Sequence, residues 1–445
     1  MYKFNPDLNA ITAKKERYVW LLFMGIVFFL LYGSSNQIAH LSLPHASLLM
    51  EWERQIPFIE VFILPYMSSD LMFVIAFLLP YTRLELRVLA ARVLFIVFFS
   101  SLIFVLFPLQ FSFTKPEIHT FHFLFGALQA DLPYNQLPSL HISFAVVLWF
   151  SMRKYLNNRI LKALTALWFY LIALSTLFVF QHHFIDIPTG LLMGFVAVWL
   201  IRQDQKSFFV SQFTTPRNLK MGLYFLLGAT VLMLLGFNVP SLKWLFVWLF
   251  TSMFSVSIVY AFGLNSLLVG KQAKANLWQW VLFFPYFIGS YLSWHYYKRN
   301  ITLVAAVKEN VYLGRFPSLS EYNSLKTQGI KYAINLAAEQ QIQKKSIEQT
   351  RLPFLDQTIQ SPESLHRGVE LIESYKDDGV YVHCALGLSR SVLLISAWLL
   401  YHKNTLEEVD ELLSTIRPNY VRSAYMNINL EIYQNYLSNE VFKKV

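Results

Sequence analysis

The chain has 445 residues, of which 55% are hydrophobic, 17% aromatic and 14% charged, with a formal net charge of +10. That balance excludes a wholly soluble globular protein, in which charged residues make up nearer a quarter. The single cysteine excludes a disulfide scaffold and a cysteine-rich metal site, and no basic helix or basic-aromatic stacking motif points to a nucleic-acid partner.

Apolar runs predict helices at 18–35, 57–80, 88–107, 139–152, 159–181, 186–201, 220–238, 243–262 and 277–297, most of them long enough to cross a bilayer core. The fourth and sixth are short. Lys14, Lys15 and Arg17 precede the first run, which suits a retained signal anchor with its N-terminus inside. Residues 1–299 carry 22 Lys+Arg against 11 Asp+Glu, whereas 300–445 carry 15 against 16, so the basic excess is a topology signal. Loops at Arg83 to Arg92, Arg153 to Lys162 and Arg202 to Lys220 are expected in the cytoplasm. The last run contains Pro285 and Gly289 and a dense aromatic face, and is followed by Lys298 and Arg299. It is expected to lie along the cytoplasmic interface, which keeps 300–445 on that side. Asp70, inside the second run, has no assigned role.

On the opposite side the sequence places residues 108–138 and the turn 181–186, and both carry unusual polar chemistry. Leu137-Pro-Ser-Leu-His141 brings a histidine to the mouth of one run, and Ser175-x6-His182-x3-Asp186 brings a histidine and a carboxylate to the next pair. Ionisable groups at such depth are costly and usually functional. The pattern resembles the type 2 phosphatidic acid phosphatase superfamily, in the branch of inositol-phosphorylceramide and sphingomyelin synthases, over about 56–201. The resemblance implies that His182 is the nucleophile, Asp186 its orienter and His141 the acid that protonates the leaving alcohol. His183 fails the four-residue spacing to Asp186. The superfamily's phosphatases place Lys-x6-Arg-Pro and Ser-Arg where this sequence has Pro108, Lys115-Pro116 and Ser175-Thr176, so two phosphate-binding arginines are missing and Lys115 is the remaining phosphate-binding cation. The transferase branch also lacks those arginines, so headgroup transfer stands beside hydrolysis.

After residue 300 the chain alternates β-like and helix-like runs. Cys384 lies in Tyr381-Val-His-Cys-Ala-Leu-Gly-Leu-Ser-Arg-Ser391, between a predicted strand and a predicted helix. A strand-to-helix turn gathers unpaired N–H groups and the helix dipole around one point, which favours a thiolate and binds a phosphate. His-Cys-x5-Arg-Ser resembles the signature loop of the protein tyrosine and dual-specificity phosphatases. That resemblance implies that Cys384 forms a cysteinyl-phosphate, Arg390 binds the phosphoryl group, Ser391 assists departure of the thiolate and His383 tunes it. The backbone of Ala385, Leu386, Gly387, Leu388 and Ser389 completes the phosphate cradle. Asp356, in Leu352-Pro-Phe-Leu-Asp356, is the general-acid candidate. Val311 to Arg315 as an opening strand, Tyr332 to Leu336 as a core strand and Arg417-Pro418 fit the same family.

The expected architecture is a polytopic all-α membrane domain followed by an α/β cysteine-phosphatase domain. Its segments are 1–55 (tail, anchor and loop), 56–201 (phosphatidic acid phosphatase-like core), 202–299 (a further membrane hairpin and an interfacial or spanning helix) and 300–445 (the phosphatase). Fusions of these two families resemble bacterial inner-membrane proteins of phospholipid metabolism. The expected substrate is a phospholipid or lipid phosphate. The signature loop has no lysine for a heavily phosphorylated inositol headgroup, and neither mechanism calls for a metal or other cofactor. A phosphate sensor with one inactive site and a lipid transporter remain alternatives, and the sequence does not give the oligomeric state.

Overall fold

The computed structural model describes residues 6–41, 45–129, 131–204, 207–269, 275–308, 310–340 and 347–441. Gln205 and Lys206 of the third basic loop fall outside those residues, as do the extreme ends of the first and last expected segments. By its contacts the chain divides into two compact units, 1–212 and 213–445. The helices over 213–299 therefore group with the α/β domain, packing mainly against one another and meeting it through single polar contacts.

The first unit is helical: α1 (Lys14–His40), α2 (Ile63–Leu78), α3 (Arg83–Leu106), α4 (His122–Leu128), α5 (Leu140–Met152), α6 (Arg159–Phe178) and α7 (Asp186–Leu200). Local chemistry starts these helices where the apolar runs begin. Thr82 accepts the Glu85 N–H at 3.4 Å while Glu85 accepts the Thr82 N–H at 3.0 Å, a capping box for α3. Asn158 accepts the Ile160 N–H at 2.8 Å at the start of α6. Two glycines decide how α5 meets α7. A Cβ at Gly190 would lie 2.8 Å from the Ser139 carbonyl, and one at Gly194 would lie 2.7 Å from Val146 Cβ. Only glycine permits that approach, the small-xxx-small logic of helices in lipid. Ser143 Oγ seals it by donating to the Gly190 carbonyl at 3.0 Å. The result sets His141, on α5, beside the turn that leads into α7.

The second unit opens with α8 (Pro216–Asn238), α9 (Lys243–Phe262) and α10 (Leu277–Tyr297). Gly222 lets α8 approach α9, since a Cβ there would meet the Ser257 carbonyl at 2.8 Å. A five-stranded sheet follows: β1 (Val304–Lys308), β2 (Val311–Arg315), β3 (Tyr332–Ala337), β4 (Glu348–Phe354) and β5 (Val380–Cys384), in the order β1-β2-β5-β3-β4. β1 is antiparallel to β2 and the remaining pairs are parallel. Central β3 and β5 are buried along their whole length, as parallel strands covered on both faces must be. The cover comes from α11 (Leu319–Thr327), α12 (Pro362–Tyr375), α13 (Arg390–Tyr401), α14 (Leu406–Ile416) and α15 (Ala424–Tyr436). Val382, Ile334, Leu394 and Tyr433 are in its main core.

Among the described residues, six helices are long and apolar enough to cross a membrane: α1, α2, α3, α6, α8 and α9, with α2 and α9 extended by a preceding turn. Six such helices in one chain are the pattern of a multi-pass membrane protein. α5 and α7 are apolar but shorter.

Candidate active sites

β5 delivers Cys384 to the carboxyl end of the parallel strands, where α13 begins six residues later. The intervening loop is pinned from outside by its carbonyls. Ala385 O accepts the Phe316 N–H at 3.0 Å, Leu388 O accepts the Val421 N–H at 2.8 Å, and Gly387 O accepts Arg417 Nε–H at 3.1 Å. With these carbonyls tied outward, the Gly387 N–H turns inward and donates to Cys384 Sγ at 3.2 Å. Gly387 has φ +68, and a Cβ on it would sit 2.5 Å from the Gly314 backbone. Glycine is required there by both conformation and space. Arg417, from the Arg-Pro pair, also donates to the Thr302 carbonyl at 2.9 Å and so braces the loop against the chain entering β1.

Ser391 Oγ lies 3.4 Å from Cys384 Sγ, close enough to hydrogen-bond a departing thiolate. His383 is fully buried, and that burial pushes its ring down to about 3, against the backbone of Cys384. The imidazole is therefore neutral across the physiological range. Asp356 lies just past β4, with Oδ1 3.2 Å from Arg390 Nε. Its side chain is 41% exposed.

Arg390 shows what the motif did not reveal. Its Nη1 donates to Glu339 Oε2 at 2.8 Å and Nη2 to Glu339 Oε1 at 2.5 Å, and both side chains are buried. Burial works against the charged guanidinium, but Glu339 and Asp356 outweigh it and raise its pKa. Burial likewise pushes Glu339 up, and Arg390 overrides it to hold the carboxylate below its usual range. Arg390 also interacts electrostatically with Cys384. A phosphoryl group at Cys384 must therefore share or displace contacts of a guanidinium already oriented by two carboxylates. Glu339 follows β3, the neighbour of β5, so sheet order rather than sequence spacing brings it in.

In the first unit, His182 Nδ1 lies 3.0 Å from Asp186 Oδ2, with the residues 8% and 1% exposed. A carboxylate at Nδ1 selects the tautomer that presents the Nε2 lone pair. Asp186 Oδ2 also accepts the His183 N–H at 3.1 Å, and the Thr176 carbonyl accepts the His182 N–H at 3.1 Å. The His141 and His182 rings are 6.3 Å apart between centroids, and Tyr66 stacks on His141 at 4.2 Å.

Further groups surround this pair, brought in by tertiary structure. His183 Nδ1 pairs with Glu53 Oε2 at 2.8 Å, both buried, and its Nε2 lies 3.2 Å from Ser47 Oγ. Asp131 accepts from Tyr32 Oη at 2.7 Å and from Asn36 Nδ2 at 2.9 Å, and interacts electrostatically with His182 and Lys115. Burial raises the Asp131 carboxyl against those contacts, and burial lowers the Lys115 ammonium while Asp131 opposes it. Asp131 is thus within electrostatic reach of both Lys115 and His182, and Tyr32 and Asn36 bring α1 to the same carboxylate. Among the described residues, no group of three or more His, Cys, Asp or Glu side chains is arranged to hold a metal ion.

A buried thiol that accepts a loop N–H, beside an arginine and a loop carboxylic acid, has the parts of a cysteine-dependent phosphoric monoester hydrolase. Residues 311–435 match the catalytic domain of the dual specificity phosphatases, and 89–209 match the PAP2 superfamily. The phosphatidylglycerophosphatase and protein-tyrosine phosphatase 1 of Mus musculus is 30% identical over 141 residues, 31% of this chain and 68% of that protein. Its Rattus norvegicus counterpart is 36% identical over 93 residues, 20% of this chain, and the chain spans about half of that protein, 48%. Among solved structures, PTPMT1 in complex with PI(5)P is 23% identical with a TM-score of 0.29, covering 32% of this chain and all of that one. Tk-PTP in the active form is 22% identical with a TM-score of 0.28, covering 30% of this chain and 96% of that one. The chain belongs to the dual specificity phosphatase family through its C-terminal domain, which follows a PAP2 superfamily domain.

Proposed function

We propose that the protein is a two-site membrane phosphatase acting on phosphate esters of lipids, of the bacterial inner-membrane type that its sequence resembles. The observation that carries this reading is the Cys384 cluster: sulfur, Gly387 N–H, Ser391 hydroxyl, Arg390 and Asp356 meet at one strand end. The Cys384 thiolate attacks phosphorus while Asp356 gives its proton to the leaving alkoxide, breaking the P–O ester bond and forming the S–P bond. Water then cleaves the S–P bond, and Ser391 hydrogen-bonds the sulfur as it leaves. In the membrane unit His182 attacks, Asp186 orients it, His141 protonates the leaving alcohol and Lys115 faces the phosphate charge. The names of the rodent relatives favour a glycerophospholipid monophosphate for Cys384.

The two sites face opposite sides of the membrane in this reading. Arg217 at the start of α8 and Asn265 just after α9 hydrogen-bond Gln357 and Pro353 of the same domain. The α8–α9 hairpin therefore returns to the side it left. With an inside N-terminus and crossings by α1–α3 and α5–α9, that side is cytoplasmic and the His182 cluster is periplasmic. Pro285 inside α10, and the hydrogen bonds of its Ser290 and Trp294 to Gln340 and Phe316 of the phosphatase domain, support an interfacial position for that helix.

A headgroup transferase is the second reading for the membrane unit, favoured by Ser175 and Thr176 standing where a phosphate-binding arginine is expected. The test is phosphate release from phosphatidylglycerophosphate in vesicles by the full chain, with a chelator present. Wild type is expected to release phosphate and Cys384→Ser to lose the Cys384-dependent share. Undiminished release by Cys384→Ser overturns the cysteinyl-phosphate mechanism. A C-terminal reporter active only in the periplasm overturns the topology.

A further inference from the structure

The walls of the Cys384 site are held by the three membrane-side helices of its own unit. Arg217, on α8, donates Nε–H to the Gln357 carbonyl at 2.8 Å and sets its guanidinium 4.7 Å from the Tyr425 ring centre. Tyr425 Oη in turn lies 2.5 Å from Ser389 Oγ in the signature loop. Gln357 has φ 55, a left-handed conformation for a residue with a side chain, directly after Asp356. On the other flank of that turn, Asn265 Nδ2 donates to the Pro353 carbonyl at 2.8 Å. From α10, Ser290 Oγ accepts Gln340 Nε2–H at 3.3 Å beside Glu339, and Trp294 Nε1 donates to the Phe316 carbonyl at 2.9 Å. The Phe316 ring centre is 5.7 Å from that of His383. The acid turn, the Glu339 loop and the rim of the signature loop are each tied to one of these helices.

Two tyrosines lie close to these ties along the chain, Tyr260 five residues before Asn265 and Tyr286 four before Ser290. Tyr260 of α9 is 2% exposed, hydrogen-bonds Tyr286 of α10, and interacts electrostatically with Asp356, Glu339 and Arg390. Tyr286 interacts with Glu339 and Arg390. Away from the site the same helices expose large apolar side chains, with Trp244 76%, Leu277 81% and Leu292 60% exposed. One side of this wall thus meets the phosphate-binding charges and the other suits hydrocarbon.

We propose that α8–α10 form the substrate wall of the Cys384 site, with Tyr260 and Tyr286 selecting a phosphomonoester whose acyl chains stay in the bilayer beside these helices. This rests on the reading of Cys384 as the nucleophile. One hydroxyl of the pair donates to the other, and the remaining O–H donates to an ester or glycerol oxygen, the part of the substrate that a bare aryl phosphate lacks. Each acyl methylene left in lipid keeps the substrate at the wall, an advantage no soluble phosphopeptide has. Arg217 is a positioning residue, acting through Gln357 and Tyr425.

The experiment compares the full chain with a Tyr260→Phe, Tyr286→Phe variant in phosphatidylcholine vesicles. Cys384-dependent kcat/KM is measured on long-chain phosphatidylglycerophosphate and on p-nitrophenyl phosphate. The lipid-to-aryl ratio is expected to fall about tenfold, through KM for the lipid, as the loss of one or two hydrogen bonds implies. A ratio within about twofold of wild type overturns the proposal. Should the variant not fold, a photoreactive lipid phosphomonoester decides with the wild-type chain: labelling within α8–α10 that vanadate suppresses supports the wall, and labelling elsewhere overturns it. If wild type shows no Cys384-dependent release from any lipid, the underlying reading has failed. If it shows release but the ratio stays fixed, this inference alone has failed.

Discussion

Replacing Glu339 by Gln keeps the shape of the side chain and removes the charge that faces Arg390 through two hydrogen bonds of 2.8 and 2.5 Å. Both side chains are buried, at 6% and 5% exposure, so the guanidinium loses its main countercharge where water cannot replace it. Breaking such a pair from one side costs about 3–5 kcal/mol, and Asp356 at 3.2 Å from Arg390 Nε places this case near the low end. In a unit of this size about 3 kcal/mol lowers the midpoint of unfolding by roughly 6–12 °C. A freed Arg390 no longer meets the phosphoryl oxygens in register, and kcat/KM falls about 100-fold. The assay heats the full chain in detergent and follows Cys384-dependent hydrolysis of p-nitrophenyl phosphate, with vanadate affinity as the measure of phosphate binding. A midpoint within about 2 °C of wild type, with unchanged kcat/KM, refutes the reasoning. Tighter vanadate binding would show instead that Glu339 competes with substrate for the arginine.

Asp356→Asn removes the proton needed by a basic leaving group, so hydrolysis of an alkyl lipid phosphate is expected to fall about 100-fold while p-nitrophenyl phosphate changes by less than about threefold. Equal losses on both substrates would exclude Asp356 as the acid. His383 gives a pH signature. Its folded ring titrates near 3 against 6.5 for the free group, so between those values the unfolded chain binds a proton that the folded chain refuses. Stability is complete above 6.5 and declines as pH falls, by about 1.4 kcal/mol per pH unit from this residue. His383→Asn is expected to flatten that slope in urea melts of the full chain at pH 4.5 to 6.5, and an unchanged slope would contradict a neutral buried ring.

What was legible in the sequence is what short spacing encodes. His383, Cys384, Arg390 and Ser391 lie in one loop, so a strand-to-helix junction suffices to assemble them. His182 and Asp186 are four residues apart and meet at 3.0 Å across the turn that opens α7. The apolar runs also marked the helices, because a bilayer-length run leaves few other structures. Groups that arrive through tertiary structure stayed hidden. Glu339 reaches Arg390 because β3 neighbours β5, and Glu53 reaches His183 across 130 residues. Asp131 enters through Tyr32 and Asn36 of α1, a helix that sequence presents only as an anchor. The grouping of α8–α10 with the phosphatase domain was equally illegible, since it rests on single polar contacts from Arg217, Asn265, Ser290 and Trp294.

The central claim, two separate phosphate-handling sites in one chain, is tested most directly by a four-way comparison in vesicles. Phosphate release from lipid phosphomonoesters is measured for wild type, Cys384→Ser, His182→Ala and the double variant, with vesicle binding confirmed for each. The expected result is that each single variant loses a distinct share of the released phosphate and the double variant releases none. Release at the wild-type level by the double variant would contradict both assignments at once.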